Sequence, residues 1–312
     1  MNFLITGGAG YIGIELAYAI SENFSSSKIT IIDSLARANT NVFCGMRKFP
    51  SKGKIEFVEA DILDSQTIFE KLKEVDFVFH LAAIVPEDRF PHESHLYESI
   101  NYWGTASVIS ALERVDHEVT FINISTLEIF SNSVFNPLGD EPNPRSAYAI
   151  SKFRAERQLP RLRFFEKIRA VNVRSPTVFG YSKNLRVDSA VNRVIFDVVL
   201  KGRATLASGS DLQSPHVDIR SLVKFLVHLV YEFPDEETIH PPMMNLSVSD
   251  IRNTIEKRNP SIEFHLGDND SYSFSRRVSN EFLSDHVEYG AASLEEGIDD
   301  FISSFTFSCS YF

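Results

Sequence analysis

The sequence predicts an α/β fold, a Rossmann-like doubly wound parallel sheet with a smaller C-terminal substrate-binding region. Three observations carry that prediction. Short β-branched or apolar runs alternate with helix-period segments over the first half of the chain. A glycine-rich turn follows the first apolar run directly, and an aspartate ends the second. Strand–helix alternation of this kind buries a parallel sheet between two helical layers. A glycine turn between the first strand and the first helix is where such a sheet receives a dinucleotide.

Residues 2–6 are apolar and nearly unbroken, as a strand buried on both faces must be. Residues 12–23 then take up helical spacing. Further strands are predicted at 28–32, 55–59, 77–80 and 119–124, with helices at 65–72 and 96–112. A helix is predicted from 148 to 167, with Pro160 expected to kink or break it, because proline lacks the N–H that the turn needs. Residues 170–174 read as another buried strand. Beyond Gly180 the alternation loosens into helices at 187–200 and 221–232, a proline-rich stretch at 233–244 and a mixed tail. Residues 1–180 are therefore expected to form the NAD-binding domain, and 181–312 a smaller substrate-side region interwoven with it.

Composition narrows the function classes. The chain has 312 residues, 43% of them hydrophobic, enough for a large core. Its formal net charge is −11, with both signs mixed along the chain. Binding to nucleic acid or to an anionic membrane needs a basic face, so neither partner is expected. Cys44 and Cys309 are the only cysteines, far apart and without neighbouring histidine pairs. No metal site is expected, and a reduced, cytoplasmic state is the simplest reading. The first strand at Asn2 leaves no room for a signal peptide. The apolar stretch 222–233 is too short for a bilayer and carries Lys224 and His228.

Two constellations carry chemistry. In the first, Gly7 permits a tight turn, Gly10 lets backbone N–H groups approach a diphosphate, and Gly13 allows close helix–strand packing. Asp33 is placed to accept both hydroxyls of an adenosine ribose and to repel a 2′-phosphate, which favours NAD over NADP; Arg37 is a nearby cation. A glycine turn alone is common after strands, and here the strand, the helix and the aspartate give it context. In the second, Tyr148 and Lys152 share one helical face, with Ser125 and Thr126 upstream. The lysine cation and an oxidised nicotinamide nearby are together expected to lower the phenol from its ordinary value of about 10, so that it can take the proton of an alcohol while hydride leaves for NAD.

These residues, together with Asp61-Ile62, His80-Leu81-Ala82-Ala83, Asn101-Tyr102-Trp103-Gly104-Thr105 and the 174–180 segment, resemble the extended short-chain dehydrogenase/reductases. The likeness is to their NAD-dependent nucleotide-sugar epimerase/dehydratase group, typified by UDP-glucose 4-epimerases. The resemblance implies that Asp61 and Ile62 hold the adenine. It implies that Leu81, Ala82 and Ala83 line the diphosphate and nicotinamide-ribose side, and that Lys152 also bonds the ribose. It adds Tyr11, Ile12, Ser34 and Asn101 as cofactor contacts. It makes Thr126 the residue that positions the reacting oxygen. Helices 96–112 and 148–167 would pair with a second copy, and Ile100, Val108, Ile109 and Leu112 are more apolar residues than one buried face needs, so a homodimer is expected.

Glu128 sits where sugar-nucleotide dehydratases and decarboxylases of that group carry a glutamate acting at C5. The acid that dehydratases place between the threonine and the glutamate is Leu127 here. Residues 181–188 with Asn192 are similar to a substrate lid. The family's diphosphate-clamping arginines align with Ser214, four residues before Asp218, and with Phe274. Either Arg186, Arg203, Arg276 or Arg277 then substitutes as the clamp, or the substrate is not an ordinary nucleoside diphosphate sugar. Substrate contacts are expected at Thr126, Thr177, Arg186, Asn192 and Arg277. The expected activity is transient oxidation of a nucleotide sugar at C4, with 4-epimerisation ahead of elimination because of Leu127. A C5-acting dehydratase or decarboxylase, a net reductase or dehydrogenase of another substrate, and a catalytically silent NAD-binding protein stay open.

Overall fold

The alternation becomes a parallel sheet in the computed structural model, which describes residues 1–44, 48–50, 53–86, 94–206, 211–267, 276–285 and 292–305. The first elements are β1 (Asn2–Thr6), α1 (Tyr11–Asn23), β2 (Lys28–Asp33), β3 (Lys54–Glu59), α2 (Ser65–Leu72) and β4 (Phe77–His80). A helical stretch follows in three parts: α3 (Ser94–Leu96), wide π-type turns at Tyr97–Gly104, and α4 (Thr105–Leu112). Next come β5 (Val119–Thr126), β6 (Val134–Phe135), α5 (Ala147–Glu156), β7 (Ile168–Ser175) and β8 (Thr177–Phe179). Then follow α6 (Ala190–Lys201), β9 (Arg203–Leu206), β10 (Ser214–Asp218), α7 (Ile219–Tyr231), β11 (Thr238–Ile239) and β12 (Met244–Leu246). The remaining elements are α8 (Val248–Arg258), β13 (Glu263–Leu266), β14 (Arg277–Val278), α9 (Asn280–Asp285) and α10 (Leu294–Ser303).

Seven strands form one sheet in the order β11-β7-β5-β4-β1-β2-β3, and every neighbouring pair is parallel. All residues of β5 are buried, the apolar Val119, Phe121, Ile122 and Ile124 together with the polar Thr120, Asn123, Ser125 and Thr126. Successive side chains of β1 face opposite layers. Phe3 and Ile5 pack with α1 and α7, whereas Leu4 packs with α2 and α4. α7 comes from the far half of the chain and lies on α1, on the same face of the sheet. A separate apolar core gathers Phe179 with α6, α8 and α10, next to a small sheet in the order β12-β10-β8. The order of the large sheet reverses between β1 and β4, so the crevice beyond their C-terminal ends is the place for a ligand.

Four expectations are corrected. The helix expected over 148–167 ends at Glu156, and tighter 3₁₀ turns run over Leu159–Phe164 with Pro160 in their first turn. There the missing N–H costs nothing, whereas further along the helix it would have removed a bond. The helix over 96–112 is widened in its middle, where the Thr105 hydroxyl donates to the Asn101 carbonyl at 2.7 Å. Such a side-chain bond competes with the backbone ladder. The helix expected from 187 begins only at Ala190, because Arg186 and Asp188 pair with each other in the preceding turn. Inside the proline-rich stretch, β11 adds itself to the edge of β7, which the sequence pattern does not announce. Among the described residues no helix is long and apolar enough to cross a membrane.

Candidate active site

The crevice is floored by two loops in close contact. Gly7, with φ of +67°, turns the chain after β1, and a Cβ there would lie 2.6 Å from the Ala82 amide nitrogen. A Cβ at Gly13 would lie 2.5 Å from the Gly7 carbonyl oxygen. No side chain larger than hydrogen fits at either position, and the resulting cradle suits a diphosphate. α1 starts at Tyr11 with Gly10 as its N-cap and no side chain bonded to its first turn, where Ile12 lies half-buried. Backbone N–H groups at such a start stabilise an anion.

Asp33 stands at the end of β2. Its carboxylate accepts from the Ala9 N–H at 3.1 Å and the Leu35 N–H at 2.9 Å, which fixes it against the glycine turn. Burial pushes its pKa up, and the two backbone bonds and Arg37 oppose that shift. Each oxygen keeps a lone pair for a ribose hydroxyl. Ser34 beside it is exposed. Asp61 is exposed after β3, with its carboxylate on the Leu63 N–H at 2.9 Å. Ile62 is buried against Gly104, where a Cβ would strike it at 2.3 Å.

Leu81, Ala82 and Ala83 continue β4 half-buried along the crevice. Beneath them His80 is wholly buried, with Nδ1 2.7 Å from the Thr6 hydroxyl and Nε2 2.9 Å from that of Thr105. Burial and then the Lys152 charge lower its pKa to about 3, so it is a neutral strut. Asn101 bonds both backbone groups of Ile84, at 2.8 and 2.9 Å, and the Ser151 hydroxyl at 3.1 Å. Asn101 thus holds the loop after β4 and ties it to α5. Tyr11 and Asn192 hold a second segment in the same way. The Tyr11 hydroxyl donates to the Gly180 carbonyl at 2.7 Å. The Asn192 amide accepts from the Gly180 N–H at 2.9 Å and donates to the Tyr11 hydroxyl and the Arg186 carbonyl. Both side chains pin the start of the lid segment to α1. That segment is further tied by the Ser182 hydroxyl to the Tyr11 carbonyl at 2.7 Å and by the Asn184 amide to the Ala9 carbonyl.

The second constellation lies where β5 ends. Ser146 caps α5 through the Ala149 N–H at 3.0 Å, and the helix presents Tyr148 and Lys152, both buried, one turn apart. Thr126, the last residue of β5, accepts from the Glu128 N–H at 3.1 Å and stands close enough to Tyr148 to affect its ionisation. Burial, and next the charge of Glu128, push the Tyr148 pKa above its ordinary value; Thr126 and Arg186 work against them. These shifts belong to the chain without cofactor, and an oxidised nicotinamide would add a further positive charge beside the phenol. Desolvation of the phenolate outweighs the chain's own charges, and a cation next to the phenol is still required. Burial lowers Lys152 itself to about 8.

A small cavity beside this pair is lined by Thr126, Glu128, Ser175, Thr177, Ser214 and Arg276, among others. Glu128 is partly open to it, 4.0 Å from the Arg276 guanidinium, and burial raises its pKa while Arg276 and Arg186 lower it. Of the substitute clamps, the structure gathers Arg276 at the cavity and Arg186 within electrostatic range. Arg277 is exposed on β14 and Arg203 is exposed on β9, and neither lines this cavity. Ser214 lines the cavity; Asp218 caps α7. Phe274 lies outside the described residues, as does Cys309. A larger cavity, about 180 Å³, opens at the β7 edge of the sheet beside Glu156 and Arg174, away from Thr126. Among the described residues no group of three or more His, Cys, Asp or Glu could hold a metal ion.

A sequence profile of the NAD dependent epimerase/dehydratase family matches residues 3–241. The chain belongs to that family, an enzyme family whose cofactor is NAD. A putative UDP-glucose 4-epimerase of Methanocaldococcus jannaschii is 27% identical over 216 residues, 68% of this chain and 67% of that one. A dTDP-D-glucose 4,6-dehydratase of Dictyostelium discoideum is 30% identical over 197 residues, 57% of this chain and 44% of that one. The match thus spans less than half the length of that curated dehydratase. In fold, the chain superposes on the UDP-glucuronic acid 4-epimerase of Bacillus cereus, solved with NAD, with a TM-score of 0.82 over 97% of this chain and 98% of that one, at 22% identity.

Asp33→Asn keeps the shape of the side chain and removes its charge. Titration calorimetry should show the native chain binding NAD more tightly than NADP, and the variant narrowing that preference by about tenfold or more, since like charges in contact cost several kcal/mol. Equal affinity of the native chain for both dinucleotides would contradict the role of Asp33.

Proposed function

We propose that the chain transforms a nucleotide sugar through transient oxidation of its C4 alcohol, with epimerisation ahead of elimination. The observation that carries this reading is the placing of Tyr148 one helical turn from Lys152 on α5, beside Thr126 and the cavity that Thr126 and Glu128 line. NAD, held by the glycine turn and Asp33, would supply the reversible hydride acceptor for the sugar carbon. Tyr148 takes the hydroxyl proton of that carbon and later gives it back. Thr126, beside Tyr148, holds the same sugar oxygen and shares its proton. Lys152 supplies the positive charge that a buried phenolate requires. Two charged residues set the opposing balance, since Glu128 on the cavity wall favours the neutral phenol and Arg186 the phenolate.

Leu127 supports epimerisation. It is buried in an apolar cluster with Phe130 and Phe135, so no acid stands between Thr126 and Glu128 to protonate a leaving hydroxyl. A specific observation favours a second reading, C5 chemistry of the dehydratase or decarboxylase kind. The Glu128 carboxylate is on the cavity wall, and burial raises its pKa toward the range of a proton-transfer group. We place the cofactor region in residues 1–180 and the substrate region in 181–312, a division supported by the separate core of α6, α8 and α10. We also infer a cytoplasmic homodimer. The free, exposed thiol of Cys44 suits a reducing compartment. Trp103 and Ile150, 55% and 40% exposed on the two helical segments that pack together, suit an interface.

A panel of nucleotide sugars followed by NMR should reveal one that is converted. With that sugar, Tyr148→Phe should keep NAD and lose about 10²–10⁴-fold in turnover; undiminished turnover would remove the redox reading. Glu128→Gln removes a charge that holds Tyr148 protonated, so the phenolate forms at lower pH and the acid limb of the rate profile should move to lower pH. If only C4 inverts, this variant keeps most of its turnover and no solvent deuterium enters C5. Deuterium at C5, lost in the variant, would replace epimerisation by the second reading. Light scattering at micromolar concentration should give the mass of a dimer; a monomer would refute the interface.

A further inference from the structure

Three titratable side chains stand in one row on α5: Tyr148, Lys152 and Glu156, each four residues from the next and each buried. The reaction described above uses the first two. Glu156 is held from β7 by Arg174, whose Nε lies 3.1 and 3.2 Å from its two carboxylate oxygens and whose Nη2 lies 2.9 Å from one of them. Glu156 is 4% exposed and Arg174 13%, and the guanidinium also lies 5.5 Å from the centre of the Phe130 ring. A buried ion pair is seldom a better filler than apolar side chains of equal volume, because desolvation offsets the attraction. Its place in the row gives it a use.

Lys152 is 3% exposed, and burial drives a lysine toward the neutral amine. Glu156, one turn along the same face, opposes that drive. From β4 the facing group is His80, which is neutral; from β5 it is the Thr126 hydroxyl; on its own helix it is Tyr148, with the Tyr97 phenol beyond at a ring separation of 6.0 Å. Arg174 matters through Glu156, since a forked guanidinium fixes the carboxylate in one orientation and keeps it ionised. We propose that Glu156, clamped by Arg174, is a positioning residue that keeps Lys152 charged and fixed beside Tyr148. Its effect on rate rests on the redox reading above, whereas its effect on Lys152 does not.

The test therefore reads Lys152 directly. Lysines labelled with carbon-13 at Cε are titrated by NMR in the folded, cofactor-free chain, and Lys152 is assigned from the signal missing in Lys152→Arg. The native midpoint is expected near 8. Glu156→Gln keeps a hydrogen bond to Arg174 and should lower that midpoint by about one pH unit or more, the usual effect of losing a close opposite charge. Arg174→Met removes the guanidinium that keeps Glu156 ionised and should lower the midpoint as well. A merely loosened fold would instead hydrate Lys152 and raise its midpoint toward the ordinary lysine value of about 10.4. An unchanged or raised midpoint in folded Glu156→Gln overturns the proposal; if that variant does not fold, an unchanged or raised midpoint in Arg174→Met does so. With the converted sugar, Lys152 is charged only below its midpoint, so the basic limb of the Glu156→Gln rate profile should move to lower pH. A shifted midpoint with an unmoved rate profile would count against the role of Lys152 in the reaction and leave the Glu156 assignment standing.

Discussion

The site depends on one close approach, that of the turn after β1 to the loop after β4. At the reversal of the sheet the two backbones meet so tightly that a Cβ at Gly7 would lie 2.6 Å from the Ala82 nitrogen. The approach is held from below by His80 between Thr6 and Thr105, and from the side by Asn101 on Ile84. Because Asn101 also bonds Ser151, the same network fixes α5 and hence Tyr148 relative to the loop. Floor and catalytic helix are thus one hydrogen-bonded unit, and satisfied buried polar networks of this kind specify a single arrangement.

The far half of the chain joins that unit through α1. Tyr11, Ser182, Asn184 and Asn192 tie residues 180–192 to the glycine turn, and α7 covers the same face of the sheet as α1. Cofactor floor and substrate side therefore share a hinge of hydrogen bonds and do not merely abut. The electrostatics of the site follow from its dryness. Burial alone raises Tyr148 and Glu128 and lowers Lys152 and His80, and each remaining charge then acts with little screening.

Much of this was legible in the sequence, and the limits have physical causes. The strands of the large sheet were legible from their apolar and β-branched runs between turn signals; β11 was not, since two residues carry no pattern. Gly7, Gly13, Tyr148 and Lys152 stood out through backbone sterics and helical spacing, and Thr126 only through the family resemblance. The structural ties of Tyr11, Asn101 and Asn192 were not legible, because they reach partners up to 181 positions away, which spacing does not reveal. Arg276 was separated from Arg277 only by strand geometry, which sends alternate side chains to opposite sides. Glu156 had a signal in the sequence, the second four-residue step after Tyr148, but the step gains meaning only from Arg174 across the sheet.

The central claim is that a cofactor held by the glycine crevice is reduced and reoxidised within one turnover by the chemistry of Tyr148. Rapid mixing of the NAD-loaded chain with the sugar that it converts, followed by the near-ultraviolet absorbance of reduced nicotinamide, tests this most directly. The account predicts an absorbance that rises and then decays while product forms, with no net accumulation of reduced cofactor. Steady accumulation of reduced cofactor, or product formed with no transient under single-turnover conditions, would contradict it.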